Sequence, residues 1–185
     1  SNDAWIIIRN TIGYNFVFIV VNIVLAMFTA IALHEIFSKK LAKFYQTSMF
    51  LPHFLSWVVI SYAVFAFLSP DKGLLNKLIT SLGGKGVNWY TNTKFWPVFL
   101  VLINSWKGLG YNTVVYLSAL SGIDKTYYEA AAMDGATKWQ MTKSITIPLL
   151  RPVVTIIFIT SLANIFRADF GLFFQVPRNS GPLYN

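Results

Sequence analysis

The chain contains no cysteine and few charged residues. Without cysteine, these 185 residues hold no disulfide, no thiolate metal ligand and no cysteine nucleophile. Charged residues make up only 12% of the sequence, about half the usual share in a soluble globular domain, whereas 55% of the residues are hydrophobic. This composition predicts a chain that lies in a lipid bilayer.

Acidic residues are especially scarce, with 7 Asp and Glu against 15 Lys and Arg, and the net charge is +8. In a soluble domain such an excess would indicate binding to nucleic acid. Here the basic residues lie mostly between apolar runs, where anionic lipid headgroups are their natural partners. We therefore expect the lipid bilayer as a partner and no nucleic acid.

Long segments of low charge predict membrane-spanning helices at residues 11–33, 47–69, 95–122 and 152–174. The first has no charged residue and is about 34 Å long as a helix, enough to cross a hydrocarbon core of about 30 Å. Pro52 interrupts the second segment one turn from its start. Two glycines and a lysine near the middle of the third segment predict a kink. Because the sequence starts without methionine or a basic signal-peptide region, we expect a single membrane domain cut from a longer chain, with one or more spans missing.

The orientation of these spans depends on the lysines and arginines of the loops, which nearly balance. Loops 34–46 and 124–151 together carry seven of them, and the segments on the opposite side carry six. Charge therefore gives only a slight preference for a cytoplasmic position of the first pair of loops.

The polar segment, residues 124–151, predicts two short helices joined by a turn. Asp124 is a suitable cap for the first helix, and Gly135 accepts the positive φ of a helix end. A second helical stretch then runs over 136–146 and meets Pro148. Ala130 to Ala132 leave little side chain on the first helix, so another protein surface can approach its backbone closely. From the residues alone, a docking segment and a solvated loop both remain open.

The sequence EAAAMDGATKWQMTKSITIP at 129–148 resembles the EAA motif of binding-protein-dependent ABC importer permeases. That motif reads EAA, three residues, Gly, nine residues, Ile, one residue, Leu-Pro. The spacing matches throughout, and the only departure is Ile147 in place of leucine, a residue of similar volume. The stretches PHFLSWVV at 52–59 and YLSALSGID at 116–124 resemble the permeases for oligosaccharides and complex sugars.

The resemblance implies an all-α, polytopic transmembrane helix bundle of the type I ABC importer permease kind. Its polar segment would form a cytoplasmic coupling helix that docks in a groove of a separate ABC ATPase subunit. Further implied partners are a second permease subunit, an extracytoplasmic solute-binding protein and a sugar substrate, with the chain crossing the bacterial cytoplasmic membrane several times. The residues implied to couple to the ATPase are Glu129, Ala130, Ala131, Asp134, Gly135, Ile145 and Pro148.

The sequence itself lacks the motifs of nucleotide binding, metal binding and catalysis. GGKG at 83–86 has neither the upstream glycine nor the hydroxyl residue of a phosphate-binding loop, so ATP is expected on the partner subunit and no cofactor here. His34 and His53 have no acidic or histidine partner at ligand spacing, which argues against a metal site. No Ser, His, Asp set stands in a catalytic context, so we expect no catalytic residue.

Lys107 is the charged residue nearest the middle of the third predicted span. A lysine there costs about 2.5 to 3.5 kcal/mol on insertion scales and should face protein or water. One interpretation is a substrate path for sugar hydroxyls, and the other is that Lys107 reaches an interface from an offset helix. The path would be lined by Asn104, Lys107, Tyr111 and Asn112, with Arg167 and Asp169 either in it or at its outer mouth.

The EAA core alone does not identify the solute. Permeases for amino acids, phosphate or metal chelates carry the same core. A membrane enzyme, or a membrane scaffold whose polar segment docks a protein other than an ATPase, is an alternative from a different class.

Overall fold

The computed structural model describes residues 2–36 and 38–178. These described residues form eight α-helices and no strand. The helices are α1 (Asn2–His34), α2 (Lys39–Phe54), α3 (Trp57–Leu68), α4 (Leu74–Ser81), α5 (Trp96–Ser121), α6 (Thr126–Met133), α7 (Lys138–Met141) and α8 (Ile147–Leu162). A 3₁₀ turn covers Thr93–Phe95, and π-helical turns cover Thr142–Thr146 and Gly171–Gln175.

The described residues fall into two compact units. The first unit consists of the described residues within Ser1–His53 and Ser105–Phe166. The second consists of those within Phe54–Asn104 and Arg167–Asn185. The first unit therefore contains α1 and all of the polar segment, and the second contains α3 and α4.

Helix α1 contains the first predicted span and extends beyond it toward the N-terminus. It is apolar around its whole circumference, and large side chains such as Ile7 and Phe28 are exposed. A helix of this kind is stable only in an apolar environment, because no polar face is available for water. Residues Ala4–His34 are long and apolar enough to cross a membrane.

The core of the first unit lies where α1, α5 and α8 meet. Ala26 and Ala30 of α1 are fully buried against Tyr116 and Leu120 of α5 and Leu150 of α8. Small side chains let helix backbones approach closely, which is the main source of attraction between helices in lipid. The polar segment connects α5 to α8, so this contact holds both of its ends.

The span predicted over 47–69 is two helices in the structure, and they separate close to Pro52. Pro52 lies inside α2 and lacks the N–H for an interior hydrogen bond, and α2 ends two residues later at Phe54. Ser56 then starts α3, because its hydroxyl accepts a hydrogen bond from the Val59 backbone N–H at 3.3 Å. In addition, α2 begins at Lys39, within the stretch predicted as a basic loop.

The fourth predicted span, 152–174, also differs from the structure. Helix α8 begins at Ile147 and ends at Leu162, and residues 163–169 form turns and irregular chain. Pro148 stands in the first turn of α8, where a missing N–H breaks no helical hydrogen bond. Because the helix continues through the π turn, Lys138–Leu162 is one long apolar candidate for a membrane span.

Helix α5 matches the third predicted span closely at both ends. Among the described residues, the segments long and apolar enough to cross a membrane are Ala4–His34 and Lys138–Leu162, with α2 and α3 together as a third candidate. Helix α5 does not belong to this group because residues 104–112 bring polar side chains into its middle. The count of four spans stays a prediction.

The first prediction concerns Gly110, which is buried on α5 beside the backbone of α2. A Cβ atom at Gly110 would overlap the Met49 carbonyl oxygen and the Phe50 Cα, and neither backbone group can move aside cheaply. We expect Gly110→Ala to destabilise the protein by about 1 to 3 kcal/mol, the usual cost of overpacking. Thermal unfolding in detergent micelles measures this loss.

The matched control is Gly13→Ala on α1, where an added Cβ meets nothing within 4 Å. Because alanine favours a helix over glycine by about 1 kcal/mol, this variant should unfold at the same or a higher temperature. If both variants are equally stable, the close approach of α2 to α5 is contradicted.

Candidate functional site

The polar segment begins with an exposed helix whose start is capped as predicted. The Asp124 carboxylate accepts a hydrogen bond from the Thr126 backbone N–H at 2.9 Å. This bond holds the pKa of the Asp124 carboxyl below its ordinary value. Ionised Asp124 therefore stabilises the start of α6 at neutral pH, and this contribution is lost as the pH falls through the folded-state pKa.

The turn after α6 is also where the sequence predicts it. Asp134 ends the helix, and Gly135 has φ +77°, a conformation that glycine adopts without strain. The next helix starts at Lys138 rather than at the predicted residue 136. Thr137 caps it, since Thr137 N–H donates to Gln140 Oε1 at 2.7 Å and Gln140 N–H donates to Thr137 Oγ1 at 3.4 Å. The Thr-x-x-Gln pattern of this capping box was available in the sequence.

Several residues of the EAA motif share one shallow depression on this segment. Its lining includes Ala131, Asp134, Gly135 and Ile145. The side chains of Glu129 and Ala130 are exposed, and Ala131 is half-buried. Met133 at the end of α6 is 86% exposed and Trp139 on α7 is 71% exposed, so the same segment carries large exposed apolar side chains beside small ones. This surface is suited to contact with another protein.

A hydrogen bond that the sequence did not predict joins the two ends of the segment. The hydroxyls of Tyr128 on α6 and Thr146 are 2.9 Å apart, and Thr146 is buried at the start of α8. Thr146 ends the π turn that joins α7 to α8. No helical periodicity indicates a π turn, so the sequence carried no signal for this pair.

Lys107, predicted for a sugar path, lies against the end of α2 in the first unit. Its ammonium group donates to the carbonyl oxygens of Pro52 at 3.4 Å and His53 at 3.0 Å. The last carbonyls of a helix have no partner within the helix and carry the negative end of its dipole. Lys107 therefore completes the C-terminal end of α2, a contact that neither sequence interpretation included.

Tyr111 and Asn112 lie near Lys107. The Tyr111 ring stacks on the imidazole of His53 with centroids 5.1 Å apart and an angle of 11° between planes. Tyr111 keeps 51% of its surface exposed. The amides of Asn112 and Asn22 flank Gly108 on α5. The structure thus brings Lys107, Tyr111 and Asn112 to one region, and their role toward a substrate stays a prediction.

The remaining predicted path residues, Asn104, Arg167 and Asp169, belong to the second unit. Asp169 accepts hydrogen bonds from Trp57 Nε1 and from the Gly171 backbone N–H, both at 2.9 Å. It thereby links the start of α3 to the π turn at Gly171–Gln175. Arg167 is exposed and Asn104 is half-buried.

The second prediction tests the contact of Lys107. Lys107→Met keeps the length of the aliphatic side chain and removes both hydrogen bonds to the end of α2. Hydrogen bonds to charged groups contribute about 1.5 to 3 kcal/mol, so the melting temperature in detergent should fall clearly. Lys40→Met, on an exposed position of α2, is the control and should melt as the unaltered protein does. Equal melting of both variants would contradict the capping role.

Residues 22–172 match the family described as binding-protein-dependent transport system inner membrane component. The polygalacturonan/rhamnogalacturonan transport system permease protein YteP of Bacillus subtilis (strain 168) is 33% identical over 141 residues, which are 76% of this chain and 44% of YteP. The lactose transport system permease protein LacF of Rhizobium radiobacter is 31% identical over 159 residues, 85% of this chain and 53% of LacF. The chain spans about half the length of these curated relatives.

Two solved structures have a similar fold. The first is a bacterial ABC transporter involved in the import of the acidic polysaccharide alginate, with TM-score 0.89 and 30% identity over 97% of this chain and 65% of that chain. The second is a bacterial alginate ABC transporter in complex with an alginate pentasaccharide-bound periplasmic protein, with TM-score 0.89 and 29% identity over 96% and 62%. The expected all-α permease fold is confirmed. With most of its length matched, the chain belongs to the family of binding-protein-dependent transport system inner membrane components.

Proposed function

We propose that this chain is the transmembrane permease part of an ATP-driven importer. It passes a sugar or oligosaccharide from an extracytoplasmic solute-binding protein across the bacterial cytoplasmic membrane, beside a second permease subunit. The observation that carries this proposal is the exposed EAA segment, in which small residues and the Gly135 turn leave a shallow depression among large apolar side chains.

The depression provides a physical reason for docking on an ATPase. Alanines at 130 and 131 keep α6 thin, so a groove can surround the helix closely without overlap. Met133 and Trp139 offer exposed apolar surface on the same segment, of the kind that becomes buried in stable protein interfaces. Glu129 adds an exposed carboxylate within α6 for an ionic contact to the ATPase. A movement of the ATPase would then reach α8 directly, because Tyr128 is bonded to Thr146 at its start.

A sugar is the solute that the relatives favour. YteP and LacF are named for the transport of carbohydrates, and the two similar structures are transporters of alginate. ATP is hydrolysed by the separate subunit, and this chain acts as a non-catalytic conduit that needs no cofactor of its own.

The third prediction tests the orientation. Since the chain has no native cysteine among its 185 residues, Lys85→Cys and Lys138→Cys each supply one thiol. With the polar segment in the cytoplasm, an impermeant maleimide added outside intact cells should modify residue 85 and leave residue 138 unmodified. Residue 138 should react after the membrane is opened. Equal labelling of both positions from outside would contradict the topology.

The fourth prediction tests coupling at Ala131. Ala131→Trp adds a large side chain to the depression, and such overpacking costs about 1 to 3 kcal/mol at a close contact. We expect assembly with the ATPase, or ATP hydrolysis stimulated by the sugar-loaded binding protein in reconstituted vesicles, to be lost. Ala131→Ser is the matched control, because it adds one oxygen atom and should retain most activity.

Both variants should insert and express normally, since α6 has no buried residue and residue 131 does not belong to the core at Ala26 and Leu150. If Ala131→Trp keeps the stimulated ATP hydrolysis and the sugar uptake of the unaltered transporter, the segment is not a coupling helix.

A further inference from the structure

Helix α4 in the second unit presents an apolar row to its surroundings. The row consists of Leu74, Leu78 and Leu82, which are 49%, 62% and 86% exposed. Residues four apart lie on one side of a helix, so the three side chains form a continuous strip on and directly after α4. We call this strip the leucine row.

The opposite side of α4 is anchored by Asn76, which is buried. Its side-chain nitrogen donates to the carbonyl oxygens of Pro70 at 2.9 Å and Val87 at 2.8 Å. Its side-chain oxygen accepts from the Val87 backbone N–H at 3.1 Å and from Trp89 Nε1 at 3.0 Å. Because these bonds use both ends of the amide, they prevent α4 from turning about its axis. The leucine row therefore points away from the rest of the second unit.

Lysines accompany this row. Residues 70–94 contain four lysines and one aspartate. Lys77 is exposed and lies about 60° around the helix from Leu74, at the border of the row. Lys85 follows the row by three residues and is also exposed. An apolar strip with basic residues at its border is typical of a helix that lies in a membrane interface and contacts anionic lipid.

The composition of the row favours lipid over a protein partner. Residues 74–82 include neither an aromatic residue nor arginine, the residue types that contribute most to binding at protein interfaces. Lysine is depleted at such interfaces. Helix α4 also packs on α3 and starts six residues after α3 ends, which places it at the end of an apolar helix of a membrane protein.

We propose that α4 is a lipid-binding surface in the headgroup region of the bilayer. The leucine row lies among the parts of the acyl chains nearest the headgroups, and Lys77 and Lys85 contact the phosphates of anionic lipids. The surface holds the end of α3 at a constant depth in the membrane. This proposal does not depend on the identity of the solute.

Single nitroxide spin labels test the proposal, as the fifth prediction. The label is attached to Leu78→Cys or to the control Thr80→Cys, which is exposed and lies about 200° around the helix. The full-length permease without other cysteines is reconstituted in phosphatidylcholine vesicles with and without phosphatidylglycerol. Collisions with oxygen, which dissolves in acyl chains, are compared with collisions with a nickel chelate, which stays in water.

We expect the oxygen-to-nickel collision ratio to be several-fold higher at residue 78 than at residue 80, and to rise at residue 78 when phosphatidylglycerol is present. Lys77→Gln with Lys85→Gln should remove that rise. Equal ratios at both positions would overturn the lipid contact, and a rise that survives the lysine replacements would overturn the role of the lysines. If residue 78 is protected from nickel only after the solute-binding protein is added, the leucine row binds that protein and not lipid.

Discussion

The close contact of α1, α5 and α8 supports the rest of the first unit. Burying apolar surface between helices gains little free energy in lipid, because the acyl chains are equally apolar. Helices in a bilayer therefore associate mainly through tight packing. Ala26 and Ala30 make such packing possible, because they let α1 lie directly on Tyr116 and Leu150. The polar segment joins α5 to α8, and both helices take part in this contact. Its position therefore follows from the packing of three apolar helices.

Several of the polar contacts that the structure describes lie at helix ends. Lys107 donates hydrogen bonds to the last carbonyls of α2. Asp169 accepts hydrogen bonds from the first N–H groups of the π turn at Gly171–Gln175. Thr137 and Gln140 complete the start of α7 in the same manner. An unpartnered backbone group in an apolar environment costs several kcal/mol, so each break between helices requires a side chain to satisfy it. Polar residues that resemble a substrate path in the sequence therefore also have structural contacts.

The sequence alone was informative wherever the signal was local. The EAA spacing, the Asp124 cap and the positive φ at Gly135 each depend on residues close together in the chain, and the expected family followed from that spacing. The apolar runs likewise predicted α5 with nearly correct ends and the C-terminal end of α1. Such features depend on chain stiffness and nearby hydrogen bonds, which do not require knowledge of the other helices.

Tertiary structure decided what depends on residues far apart in the chain. The bonds from Lys107 to Pro52 and His53, and the pair of Tyr128 with Thr146, join positions that no periodicity relates. The early end of α8 was similarly hidden, because an apolar run does not reveal where the helix stops. Hydrophobicity determines that a segment enters lipid, whereas packing and the partners of the freed backbone groups determine where its helices begin and end.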